Sequence, residues 1–171
     1  HLKPAELIVK NDKDLPVYSI LVPLYKEKKV TLKKLVESLS GLDYPRNKLD
    51  IKLITEIEDF ETLEILKSLK PPSYFQILRV PYSLPKTKPK ACNYALRYCK
   101  GDYITIYDAE DVPDKEQLKK ALRVFEDNPE INCIQARLNY YNKNENLLTR
   151  LFSIEYSCWF DYMLLGLRRL G

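Results

Sequence analysis

Apolar positions along the chain keep two rhythms. Short apolar and β-branched runs at 17–24 (VYSILVPL), 50–56 (DIKLITE), 74–80 (YFQILRV), 102–107 (DYITIY) and 131–141 (INCIQARLNYY) have the length and make-up of buried strands. Between them lie stretches whose apolar residues recur at helical spacing: 31–42, 59–69, 91–101 and 114–128. Thr31 and Asp114 read as N-caps, Asp59 and Thr62 fall near a helix start, and Gly41 and Gly101 read as stops. Pro23 is expected to end the first strand. The segment 81–90 holds three prolines and reads as a loop.

Strand and helix alternate at a spacing of roughly 30 residues, which predicts an α/β fold: a mostly parallel sheet with helices on both faces. Residues 1–16 mix Lys, Asp, Asn and Pro and read as an arm or linker. The last stretch, 145–170, is apolar on more than one face. Two readings of it stand: a helix buried against a further part of the domain, or an interfacial helix near a membrane.

Composition narrows this picture. With 171 residues, 45% hydrophobic and 30% charged, the chain can build one real core. A net charge of +4 is too weak to imply a nucleic-acid partner. Cysteines at 92, 99, 133 and 158 show no CxxC spacing, and the single histidine is His1, which argues against zinc. Four glycines leave no phosphate-binding or dinucleotide fingerprint. No apolar run reaches the ~18 residues of a membrane span, and no signal peptide is visible. The first residue is not Met and Gly171 follows an apolar helical stretch, so a piece of a longer protein is expected.

In a parallel sheet of this kind, ligands sit outside the carboxyl ends of the strands. The unusual clusters all follow strands. They are Pro23, Tyr25 and Glu27; Glu56, Glu58 and Asp59; Lys86, Lys88 and Lys90; and Asp108, Glu110 and Asp111. Three neighbouring carboxylates suit a hard divalent cation that takes oxygen ligands, some from a bound phosphate; the alternative is a solvated acidic turn. Lysines suit a diphosphate; the alternative is a solvated basic loop. A tyrosine ring can stack on a base and a carboxylate can accept from a base or a ribose, or both can belong to a surface turn. Asp59 can equally cap a helix.

Four of these stretches resemble the family 2 glycosyltransferases, with their GT-A fold, and among them the polysaccharide-synthase branch. VPLYKE (22–27) resembles V-P-x-Y-N-E, with Lys26 in place of Asn. KPKACNYAL (88–96) resembles a Lys-Ala…Asn-x-Ala-Leu stretch, matching Lys90 and Asn93. YDAED (107–111) resembles the D-x-D motif, and CIQARLNYYN (133–142) the strand beyond it. The similarity covers roughly 16–170.

The resemblance implies a nucleotide-diphosphate sugar donor, most often a UDP-sugar, bound with Mg2+ or Mn2+ by the region 17–142. It implies that Pro23, Tyr25 and Glu27 line a nucleoside pocket, with Glu56, or else Glu58 or Asp59, meeting the base. Lys90, Asn93 and Asp108 would meet the diphosphate and sugar, and Asp108 with Glu110 or Asp111 would hold the cation. A saccharide or other hydroxyl acceptor, an inverting reaction and a membrane-associated whole protein, working at the cytoplasmic face, are further expectations. The general base and the chain-holding Q-x-x-R-W stretch would lie past Gly171, with 143–171 packing on that part or near the membrane. A non-catalytic nucleotide-sugar binding module is the alternative.

Overall fold

The structure, a computed structural model, describes residues 12–136, 146–164 and 166–167. Its four strands are β1 (Tyr18–Leu24), β2 (Leu49–Glu56), β3 (Phe75–Val80) and β4 (Tyr103–Ile106). All neighbouring pairs are parallel, in the order β3-β2-β1-β4. The connecting helices are α1 (Lys29–Ser40), α2 (Phe60–Leu69) and α3 (Lys88–Leu96); α4 (Gln117–Asp127) follows β4. This is the architecture that the alternating pattern predicts. Because every pair is parallel, the carboxyl ends of all four strands share one edge, and the order reverses direction between β1 and β4.

Each face of the sheet follows from side-chain alternation. Tyr18, Ile20, Val22 and Leu24 of β1 and Leu49, Ile51 and Leu53 of β2 bury into one core with Leu32, Leu35 and Leu39 of α1, Leu66 of α2 and Leu118 and Leu122 of α4. On the opposite face Leu21, Ile54 and Val80 pack on Ala91, Cys92 and Ala95 of α3. Every residue of β2 is buried, as expected of a central parallel strand covered on both sides.

That second face also carries a polar network. Lys52, fully buried, donates to Asp50 Oδ1 and Gln76 Oε1, both at 2.6 Å. Asp50 Oδ2 accepts from Ser19 Oγ at 2.8 Å and from the Lys100 N–H at 3.0 Å, and Ser19 Oγ accepts from the Gly101 N–H at 2.9 Å. Burial opposes the Asp50 carboxylate, but these hydrogen bonds, Lys52 first, hold its pKa below the usual range. The network ties the α3–β4 connection to the amino ends of β1 and β2. Gly101 is required there: a Cβ would stand 2.4 Å from the Ser19 backbone nitrogen.

The structure corrects several element boundaries. β1 does not stop at Pro23 but runs to Leu24. Residues 19, 21 and 23 turn their backbone groups toward β4, as the bond from Tyr107 N–H to Leu21 C=O shows. Pro23 has no N–H to offer β4, which ends at Ile106. Thr31 is not a cap: α1 begins two residues earlier, with Lys28 in the cap position and no side-chain bond. α3 starts at Lys88, not after the prolines, because Thr87 caps it and Pro89 fits the first turn. It ends at Leu96, short of Gly101. α4 starts at Gln117; Asp114 instead accepts from the Glu116 N–H in the preceding turn. The fifth strand is not formed over 131–136, which are irregular, and 137–141 lie outside the described residues. An alternating pattern makes a strand only where a neighbour takes its backbone groups.

The described residues fall into two compact units, divided between Arg123 and Val124. In the second, α5 (Leu147–Ser157) starts at a capping box of Asn146 and Thr149 and continues as a π-helical stretch, Cys158–Met163. Leu147, Leu148, Leu151, Phe152, Ile154, Trp159 and Met163 are exposed. Among the described residues no helix is long and apolar enough to cross a membrane.

Candidate functional site

Three lysines from the β3–α3 segment each reach a carboxylate at the carboxyl edge of the sheet. Lys90, in the first turn of α3, donates to Glu56 Oε2 at 3.0 Å and to the Ser83 carbonyl at 3.1 Å; its side chain and that of Glu56 are mostly buried. Lys88 pairs with Asp108 and Lys86 with Glu58, all four side chains at least partly exposed. Asp108 itself is fixed through its backbone: its N–H donates to Asp111 Oδ2 at 2.8 Å, and its carbonyl accepts from the Asp111 N–H at 3.1 Å. Asp111 therefore closes the turn that follows β4, while Glu110 projects into solvent.

The β1–α1 loop is held from α2. Asp59 caps α2 by accepting from the Thr62 N–H at 3.1 Å, and its other oxygen accepts from the Lys26 N–H at 2.7 Å. Thr62 Oγ1 accepts from the Glu27 N–H at 3.1 Å. Both residues are buried. Lys26 sits in the left-handed region, φ 54°, which turns Tyr25 outward and Glu27 back toward the other acids. The Lys26 ammonium lies 5.3 Å over the Tyr25 ring.

Electrostatics register the convergence. Burial raises the Glu27 pKa, and the charges of Glu110, Asp59 and Asp108 push it in the same direction. Acids from β1, β2 and β4 thus feel one another at this edge. Burial also raises the Cys92 thiol, with Lys88 pulling against it, so Cys92 is a packed side chain rather than a nucleophile. Burial pushes Tyr107 up to about 12, which leaves its hydroxyl neutral beneath the acidic turn.

Among the described residues no group of three or more His, Cys, Asp or Glu is arranged to hold a metal by itself. The chemistry that remains open to the edge is binding of a cation that brings most of its own ligands, next to lysines that suit an anion.

The sequence profile of "Glycosyl transferase family 2" matches residues 19–168. The chain belongs to glycosyl transferase family 2. Over 158 residues the chain is 26% identical to the probable glycosyltransferase YdaM of Bacillus subtilis (strain 168), covering 91% of the chain and 37% of YdaM. Among solved structures, the mannosyltransferase PcManGT from Pyrobaculum calidifontis, in complex with GDP-Man and Mn2+, matches with a TM-score of 0.60 and 22% identity, over 82% of this chain and 41% of that one. S. aureus TarS 1-349, in complex with UDP-GlcNAc, matches with a TM-score of 0.55 and 20% identity, over 74% and 38%. These likenesses show the GT-A fold. The chain spans about two fifths of the length of the proteins it matches.

The site residues that the sequence points to divide into three groups. Glu56, Glu58 and Asp108 are joined to Lys90, Lys86 and Lys88, and Glu27 and Glu110 lie within electrostatic reach of one another. Asp59 and Asp111 spend their carboxylates on backbone N–H groups, Asp59 on a helix cap and the Lys26 N–H, Asp111 on the Asp108 N–H. Pro23 is half-buried at the end of β1, Tyr25 is exposed, and Asn93 lies exposed on α3 without a hydrogen bond to these acids among the described residues. Thr62 was legible only as a residue near a helix start, and the Ser19–Asp50–Lys52 network was not anticipated. Its one signal is two charged residues, Asp50 and Lys52, inside a strand run.

Proposed function

We propose that this chain is the donor-binding part of a glycosyltransferase that moves a sugar from a nucleoside-diphosphate sugar, a UDP-sugar first among candidates, to a hydroxyl of a saccharide or other acceptor. The observation that carries this reading is the meeting of Asp108, Glu56 and Glu58 with Lys88, Lys90 and Lys86 at the carboxyl edge, beside the Glu27 and Glu110 acids. Tyr25 and Glu27, with Glu56 and Glu58, would face the nucleoside; Asp59 would position the Tyr25–Glu27 loop.

The residues fit Mg2+ or Mn2+. Such an ion is commonly held by one or two carboxylates, with phosphate oxygens and water completing its shell. Asp108 would be the fixed carboxylate, since the Lys88 ammonium already stands on it as a cation, and Glu110 the second. When bound, the cation would supply charge stabilisation to the departing diphosphate. The chain's own share of that work is electrostatic: Lys90, held by Glu56 and Ser83, presents a positive charge that does not have to be ordered at the moment of reaction. An inverting transfer needs a general base at the acceptor. Association of the whole protein with a membrane is part of the same proposal, supported by the exposed apolar side chains of α5.

Calorimetry of UDP with and without Mn2+ tests the reading. Binding should require Mn2+, and Asp108→Ala should abolish the Mn2+-dependent part. Unchanged affinity in that variant would overturn the assignment of Asp108. Binding of a UDP-sugar by the full-length protein without turnover would favour a non-catalytic binding module.

A further inference from the structure

The three lysine–carboxylate pairs differ in how easily they can be exchanged. Lys90–Glu56 is a strut, mostly buried and fixed by a second bond to the Ser83 carbonyl. Lys86–Glu58 is a surface pair whose ammonium also lies 5.1 Å over the Tyr82 ring. Lys88–Asp108 joins a rigid partner to a loose one. The Asp108 backbone is locked by Asp111, whereas Lys88 reaches it on a flexible stem with about half of each side chain exposed.

A divalent cation and an ammonium on one carboxylate repel each other, so each weakens the other's hold on it. A cation arriving alone loosens the pair and leaves the Lys88 ammonium short of an anion. A cation arriving with a diphosphate offers that ammonium a new anion within reach of the same stem. The pair is then exchanged rather than lost. Two ligands that share such a penalty bind with positive coupling, and the coupling is reciprocal.

We propose that Lys88 is the resident counter-ion of Asp108 and that it couples the two ligands: the divalent cation replaces it on Asp108, and the released ammonium binds the diphosphate. This rests on the donor-site reading above. It makes Lys88 a competitor of the free cation as well as a ligand of the loaded site.

The test is calorimetry of this chain with Mn2+ alone, UDP alone, and UDP at saturating Mn2+, for the native sequence, Lys88→Met and Lys88→Arg. Native protein should show Mn2+ and UDP tightening each other about tenfold. Lys88→Met should bind Mn2+ alone about tenfold more tightly and UDP with Mn2+ more weakly, so that the coupling collapses. Lys88→Arg keeps the charge and should keep coupling, with thermal melts showing that all three proteins fold alike. If Lys88→Met gains no Mn2+ affinity while UDP binding still depends on Mn2+ and Asp108, the counter-ion role falls and the donor site stands. If native protein binds neither Mn2+ nor UDP, or binds them equally after Asp108→Ala, both fall.

Discussion

Lys26 occupies a backbone conformation, φ 54°, that costs an ordinary L-residue about 1 kcal/mol and that asparagine tolerates better. The family motif has Asn at this place, so the departure noted in the sequence is also a point of strain. Lys26→Asn should stabilise the chain by roughly 0.5–1 kcal/mol in urea unfolding, even after loss of the Tyr25 contact. Lys52 is the opposite case, a charge wholly inside the sheet and fully paired. Lys52→Met should cost about 3 kcal/mol, because it leaves Asp50 buried without its cation. The pH response follows. With its folded pKa below the ordinary value, Asp50 gives its full stabilisation above about pH 4 and loses it as pH falls through the folded value. Urea unfolding between about pH 5 and 3 should show that loss, and Lys52→Met should shrink it. At this scale the acids were legible because they cluster after strand runs. Their partners were not: which lysine meets which acid depends on the path of residues 81–87, and prolines announce only that the path is irregular.

At the scale of elements, four helices were legible by period, and so was the start of α2 at Asp59, but the starts of α1, α3 and α4 were not. α1 begins just past the Lys26 and Glu27 N–H groups, which the Asp59 and Thr62 side chains accept, and α3 begins where Thr87 can cap it. Both anchors are tertiary or depend on one rotamer, and neither leaves a periodic trace. Gly101 was read as a helix stop and is instead a point of close contact between the α3–β4 connection and β1. Because the obstructing atom is backbone, a neighbouring side chain cannot relieve it by moving. Gly101→Ala should therefore destabilise the chain by about 1–3 kcal/mol, read as a lower urea midpoint with an unchanged slope. A helix stop would predict far less, since Leu96 already ends α3.

For the whole molecule, the order β3-β2-β1-β4 does the gathering. Segments some 80 residues apart in sequence, such as Glu27 and Asp108, meet because β1 lies between β2 and β4. A pattern of alternating strand and helix predicts that edge without saying which side chains face inward there; the register supplies it, placing Glu56 on the same face as Leu21 and α3. The register also gives Pro23 a second meaning. Its ring leaves one rung of the ladder unmade, the one that would draw in the Tyr107 carbonyl, so a missing hydrogen on β1 sets the length of β4. The sheet forgoes a bond, and the next residue, Asp108, is free to bend away. Pro23→Val should restore that rung, raising stability by about 0.5–1.5 kcal/mol while weakening Mn2+-dependent UDP binding as Asp108 is pulled into line. A sturdier protein that binds less well would mark the proline as a boundary post, placed where the fold stops gaining and the ligand begins.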